Sequence, residues 1–138
     1  MKYEFLKHWR VVRYLIKQQY SLSQEELELL LFLYSEGRFT KDDFEWYSAI
    51  VPWNPKRFSK LTEDGWIKKW GSNYKKRRAT YAVTHKGKLM CARVYRLLLG
   101  EEDFPSSERN PVSSPKKYME WRYKRAMDDI NNKKRANR

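Results

Sequence analysis

Residues 66–88, WIKKWGSNYKKRRATYAVTHKGK, hold two short strand-like runs in a chain whose other regular segments read as helices. Trp66 and Ile67 begin a strand, Gly71-Ser72-Asn73 mark a turn region, and ATYAV alternates small and large residues as the returning strand. Gly65 stops a helix just before this stretch. Thr84 opens another just after it, HKGKLMCARVYRLLLGEE, on which Met90, Val94 and Leu97 share a face. The expected fold class is therefore mainly α with a small β-hairpin.

The preceding helices have legible ends. EFLKHWRVVRYLIKQQY places Phe5, Trp9, Val12 and Ile16 on one face. SLSQEELELLLFLYSEG begins at Ser23, with Glu26 three residues on to complete a capping box, and ends at Gly37. Leu27, Leu30, Leu31 and Tyr34 form its stripe, and Leu29, Phe32 and Leu33 make it apolar nearly all round, as a central core helix would be. FTKDDFEWYSAI is a short third helix capped by Thr40, with Asp43 at its third position and Phe44, Tyr47 and Ile50 turned inward. The prolines of VPWNP force a turn, and Asn54 as N-cap with Pro55 at the first position opens NPKRFSKLTEDG, whose inward pair is Phe58 and Leu61. Past the hairpin and its helix, DFPSSERNPVSSP reads as a linker. Ser114 and Pro115 then start a basic helix with Met119, Tyr123, Met127 and Ile130 along one side.

Charge narrows the partner. Thirty Lys and Arg against seventeen Asp and Glu give +13 over 138 residues, and the excess is uneven. Residues 66–88 carry eight cations and no acid, residues 21–45 carry −5, and residues 115–138 carry +6. Such a sided field attracts polyanions, with nucleic acid the leading partner. No apolar run approaches the ~18–20 residues a membrane span needs, and the start does not read as a signal peptide. A single cysteine, Cys91, excludes an internal disulfide and suits a reducing compartment. The expectation is an intracellular protein, cytoplasmic or nucleoid-associated, with a viral origin also compatible.

Helix, short helix, turn, helix, hairpin, helix is the order of a winged helix-turn-helix. In that fold the helix after the turn lies in the major groove. Here that helix is 54–64, with Asn54, Lys56, Arg57, Ser59 and Lys60 outward, and the hairpin of 71–79 carries Lys75, Lys76, Arg77 and Arg78 at its tip against the phosphate backbone or minor groove. LSQEELELLLFLYSEGRFTKDDF, KRFSKLTEDGWIKKW and KKRRATYAVTHKGK together resemble the MarR (multiple antibiotic resistance regulator) type of winged-helix protein over about residues 21–100. The resemblance implies a homodimer paired through the N-terminal helix of residues 1–20 and the helices after the wing, bound to double-stranded DNA at a two-fold site. Carried over by position, Lys56, Arg57, Ser59 and Lys60 would read the groove, and Lys76, Arg77 and Arg78 would serve the wing.

The family's wing usually places an aspartate just before its arginines, where Lys75 stands here. That departure, with the atypical VPWNP turn and the basic 115–138 segment that follows the 101–114 linker, leaves two alternatives beside a transcriptional regulator. One is an architectural, replication or virion-associated binder with little sequence preference; the other is a protein–protein adaptor. The C-terminal stripe either docks on a partner subunit, with Lys133, Lys134, Arg135 and Arg138 along nucleic acid, or belongs to a detached tail. Of the aromatic residues, Trp9, Phe32, Phe44, Phe58 and Tyr95 are expected inside, and Trp53, Trp70 and Tyr74 flank the DNA face. Catalysis has little support: His8 and His85 are the only histidines, and no metal-ligand spacing, Gly-rich phosphate loop or nucleophile elbow occurs. No cofactor is expected, and the sequence points to no small-molecule effector.

Overall fold

The computed structural model describes residues 4–51, 55–73, 78–105 and 118–136. In chain order the elements are α1 (Phe5–Tyr20), α2 (Gln24–Glu36), α3 (Lys41–Tyr47), α4 (Pro55–Glu63), β1 (Ile67–Asn73), β2 (Arg78–Val83), α5 (His85–Leu99) and α6 (Tyr118–Ala136). The protein is thus mainly helical with one small two-stranded antiparallel sheet, compatible with a winged helix. Among the described residues no helix is long and apolar enough to cross a membrane. The chain divides into two compact units, residues 23–92 and residues 1–22 with 93–138.

In the 23–92 unit the ends form as the local chemistry dictates. The Ser23 hydroxyl accepts from the Glu26 N–H at 3.2 Å and caps α2. The Glu26 carboxylate is not used for a capping box, as the sequence suggests; it bonds Lys60 Nζ instead. Thr40 and Asp43 form the reciprocal box at α3, with bonds of 3.2 and 2.9 Å. Phe39, Phe44, Phe58, Leu61, Leu27, Leu30 and Leu33 are buried. Ile50, expected inside, is exposed, because α3 stops at Tyr47 and the chain has left the helical path by then.

The hairpin is longer than the sequence suggests. Gly71, Ser72 and Asn73, expected as the turn, pair in the ladder with Thr80, Ala79 and Arg78. The register shifts between Lys69 and Gly71, so a bulge absorbs the residue that would otherwise have ended the strand. Beside β2, Phe39 and Tyr81 exchange both backbone hydrogen bonds, at 3.0 and 2.7 Å, which fastens the α2–α3 connection to the sheet.

The step from sheet to helix has a steric cause. Thr84 Oγ1 donates to the Gly65 carbonyl at 2.7 Å and accepts from the Gly87 N–H at 3.2 Å, so one hydroxyl joins the end of the α4 turn to the start of α5. A Cβ on Gly87 would stand 2.4 Å from Val83 Cγ1 and 3.1 Å from the Trp66 carbonyl oxygen. Gly65 adopts φ +81°, where a side chain is strained. Gly87 of Thr84-x-x-Gly87 is therefore a packing requirement of this strand–helix junction, and Gly65 of Leu61-x-x-x-Gly65 a requirement of backbone conformation.

Cys91 is fully buried on α5, its thiol donating to the Leu30 carbonyl at 3.7 Å. Burial pushes the thiol up to about 12 from its ordinary 9.0. A raised pKa means the folded state holds the proton longer, so this stabilisation is complete below pH 9 and lost as pH rises through 12, at most on the order of 4 kcal/mol. Burial, then Glu36 and Asp43, raise Tyr47 in the same direction. Urea unfolding of Cys91→Ala should show a flatter loss of stability between pH 9 and 12 than the parent chain; parallel curves would contradict a thiol buried in its neutral form.

In the other unit, α1 buries Val11, Val12, Leu15 and Ile16. Phe5, expected on the inner face, is exposed. Tyr14 stacks on Tyr123 of α6 at 3.9 Å, nearly parallel, and Met127 is buried. The α6 stripe thus splits: Tyr123 and Met127 are used within this chain, whereas Met119 is exposed, so the segment is no detached tail. Nor is the start of the expected linker free. Asn131 grips the Phe104 backbone from both sides, accepting from its N–H at 2.9 Å and donating to its carbonyl at 3.1 Å, and Lys134 pairs with Asp103 at 2.6 Å. Arg93 donates to Glu102 at 2.8 Å and to Gln19 at 2.5 Å. Burial opposes the Arg93 charge, but its bonds with Glu102 and Tyr20 outweigh that and raise its pKa. Ser114 and Pro115 lie outside the described residues.

Candidate nucleic-acid interface

Phe58 and Leu61 seat α4 as the sequence predicts. The Phe58 ring meets Phe44 and Tyr81 edge-on, with centroids 5.1 and 5.0 Å apart, and Leu61 is fully buried. Three residues apart on a helix, these anchors share one face and leave Lys56, Ser59 and Lys60 on the exposed side. Arg57 is only partly exposed.

The charge on that side is smaller than the sequence implies. Arg57 forms an ion pair with Glu25, and Lys60 lies 3.3 Å from Glu26. Glu26 is only 5% exposed, so its carboxylate is held where Lys60 meets it. The start of α2 thereby does two jobs: its acids favour the helix dipole and also neutralise two cations of α4. Their partners stand 32 and 34 positions away in sequence, beyond the reach of any local pattern. Lys56 and Ser59 face solvent. Of the other expected contacts, Arg78 is the first residue of β2, and Asn54, Lys75, Lys76 and Arg77 lie outside the described residues, as do Trp53 and Tyr74.

The strongest cationic grouping among the described residues gathers around Trp70. Lys68 and Trp70 lie two apart in β1. The Arg38 guanidinium carbon stands 4.6 Å from the Trp70 ring centroid and Lys68 Nζ 4.9 Å from it. Each such contact is worth about 0.5–1 kcal/mol at an exposed site. Lys88, in the first turn of α5, lines a shallow cavity of about 150 Å³ together with Arg38 and Trp70. Among the described residues no carboxylate pairs with Arg38, Lys68 or Lys88. Arg38 is delivered by the Phe39–Tyr81 bridge next to it, a placement no sequence pattern announces; the i, i+2 spacing of Lys68 and Trp70 was the available signal.

The expected inward aromatic residues divide. Phe44 and Phe58 are buried, Trp9 and Phe32 are half-buried, with Phe32 edge-on to Tyr47 at 5.0 Å, and Tyr95 is exposed because it lies off the Met90–Val94–Leu97 face. Lys133 lies 3.9 Å from Glu4, and Lys134 is spent on Asp103, so these two charges of the C-terminal segment are already engaged. Among the described residues no group of three or more His, Cys, Asp or Glu is placed to hold a metal ion. Set against protein-family models, curated proteins and solved structures, the chain matches none.

Proposed function

We propose that this chain is a winged-helix protein that binds double-stranded DNA as a homodimer, with α4 against the major groove and the hairpin on the flanking backbone. What carries the reading is the seating of α4: Phe58 and Leu61 fix it between a capped short helix and a basic hairpin, with Lys56 and Ser59 turned out. The dimer is supported by apolar side chains left exposed on α1, α5 and α6, among them Leu6, Leu99, Tyr118 and Trp121. In its regulatory form, of the MarR type, the protein would discriminate among sequences through α4.

A second reading, an architectural binder with little sequence preference, is favoured by the pairing of Arg57 with Glu25. Arginine is the side chain best suited to a bidentate guanine contact, and here it has a carboxylate already. Lysines that meet phosphates position a protein without reading bases. The two readings part on Arg57. Affinities for a selected and a random duplex should differ, and Arg57→Ala should remove about 1–3 kcal/mol of that difference if the regulatory form is right. Equal affinities, unchanged by Arg57→Ala, would leave the architectural form; two chains per duplex by sedimentation would support the dimer under either.

A further inference from the structure

The grouping around Trp70 is built differently from the basic side of α4. There, carboxylates hold the cations and cancel them. Here an indole holds Arg38 and Lys68 at 4.6 and 4.9 Å, which orients both without removing their charge. Cations pre-positioned in this way lose less freedom when an anion arrives. Lys88 adds a third positive charge at a cavity that Arg38 and Trp70 also line, and buried Ala82 and Val83 give that cavity an apolar floor. Trp70 itself remains 49% exposed, so part of the ring is open to a second flat group. Three positive charges beside a half-open indole and an apolar floor suit a ligand that is both aromatic and anionic.

Resting on the nucleic-acid reading above, we propose that this site takes an unpaired nucleotide of a nucleic-acid strand, its base against Trp70 and its flanking phosphates on Arg38, Lys68 and Lys88. The hairpin would then hold a strand end, or a strand opened from the duplex, on a surface separate from the α4 contacts. A phosphodiester chain fits better than a free nucleotide because the three cations come from three segments (the α2–α3 connection, β1 and α5), enough for more than one phosphate.

Full-length protein is titrated with a short oligothymidylate, with thymidine monophosphate and with a blunt duplex, read by fluorescence anisotropy and tryptophan quenching. The oligothymidylate should bind, Trp70→Ala should weaken it by about 5- to 150-fold, and Trp70→Phe should restore most of the loss. Arg38→Ala with Lys68→Ala should reduce the salt slope by about 1.4, at about 0.7 per lost contact on a single strand. Circular dichroism of each variant confirms that the fold is intact. Oligothymidylate affinity and salt slope unchanged by these substitutions would overturn the proposal, as would monophosphate binding as tight as the strand. Binding of the duplex without the oligothymidylate would overturn it and leave the proposed function standing, whereas binding of neither would remove both.

Discussion

Phe58→Ala should destabilise the 23–92 unit by about 3–5 kcal/mol, the usual cost of emptying a buried phenylalanine site. Phe58 lies at the centre of an aromatic group. It meets Phe44 and Tyr81 edge-on, while Phe39 stands 5.5 Å from Phe44 and 6.2 Å from Tyr81. Edge-to-face pairs add about 0.5–1.5 kcal/mol beyond the area they bury, and the substitution removes two of them. Four segments share the group: the α2–α3 connection through Phe39, α3 itself, α4 and β2. The cavity therefore cannot close by moving one side chain. A unit of this size should lose on the order of 15–30 °C in melting temperature. Leu89→Ala, at a position 57% exposed, is the matched control and should stay within about 0.5 kcal/mol. A loss below about 1 kcal/mol at Phe58 would mean that this ring does not seat α4.

Glu25→Gln with Glu26→Gln should raise duplex affinity, an outcome opposite in sign to most substitutions at a binding surface. Both side chains keep their size, but Arg57 and Lys60 lose their neutralising partners and two like charges leave the face proposed to meet phosphate. If both cations turn to the backbone, the salt slope steepens by about 1.8, at about 0.9 per phosphate neutralised. At 0.1 M salt that corresponds to roughly tenfold in affinity for each cation released. The cost to folding is about 1 kcal/mol, from the lost charged hydrogen bond of nearly buried Glu26 and the weaker complement to the α2 dipole. Unchanged affinity and slope would show that Arg57 and Lys60 do not face the nucleic acid in the complex.

What the sequence made legible was local. Caps at Ser23, Thr40 and Thr84, Pro55 at the start of α4, and the inward pair Phe58/Leu61 each follow from residues within four positions of one another. Distant partners were illegible. Nothing near Arg57 announces Glu25, and nothing near Arg38 announces Trp70, because both meetings depend on how α2 and the strands are packed. The hairpin failed for another reason. Gly71-Ser72-Asn73 has turn composition, yet a bulge after Lys69 lets the ladder continue through it and moves the end of the strand to Asn73. At the start of the expected linker one polar side chain, Asn131, holds the Phe104 backbone where composition alone reads a loose segment.

These outcomes alter where the binding charge lies. Two of the cations expected to read the groove are neutralised at home, and two of those expected to extend along nucleic acid from the C-terminal segment are paired with Glu4 and Asp103. Within the acid-free stretch of 66–88, Lys68 stands with Arg38 over the Trp70 indole rather than against a carboxylate, and Lys88 lines the cavity beside that ring. Under the proposed function, a protein so arranged would grip backbone first and read sequence second.

The salt dependence of wild-type affinity for a random duplex tests the central claim most directly. With Lys56 and the hairpin cations on the backbone of each half-site, log affinity should fall linearly with log salt with a slope steeper than about −3, the signature of at least about four neutralised phosphates. A slope near zero, or no duplex binding at low salt, would contradict it.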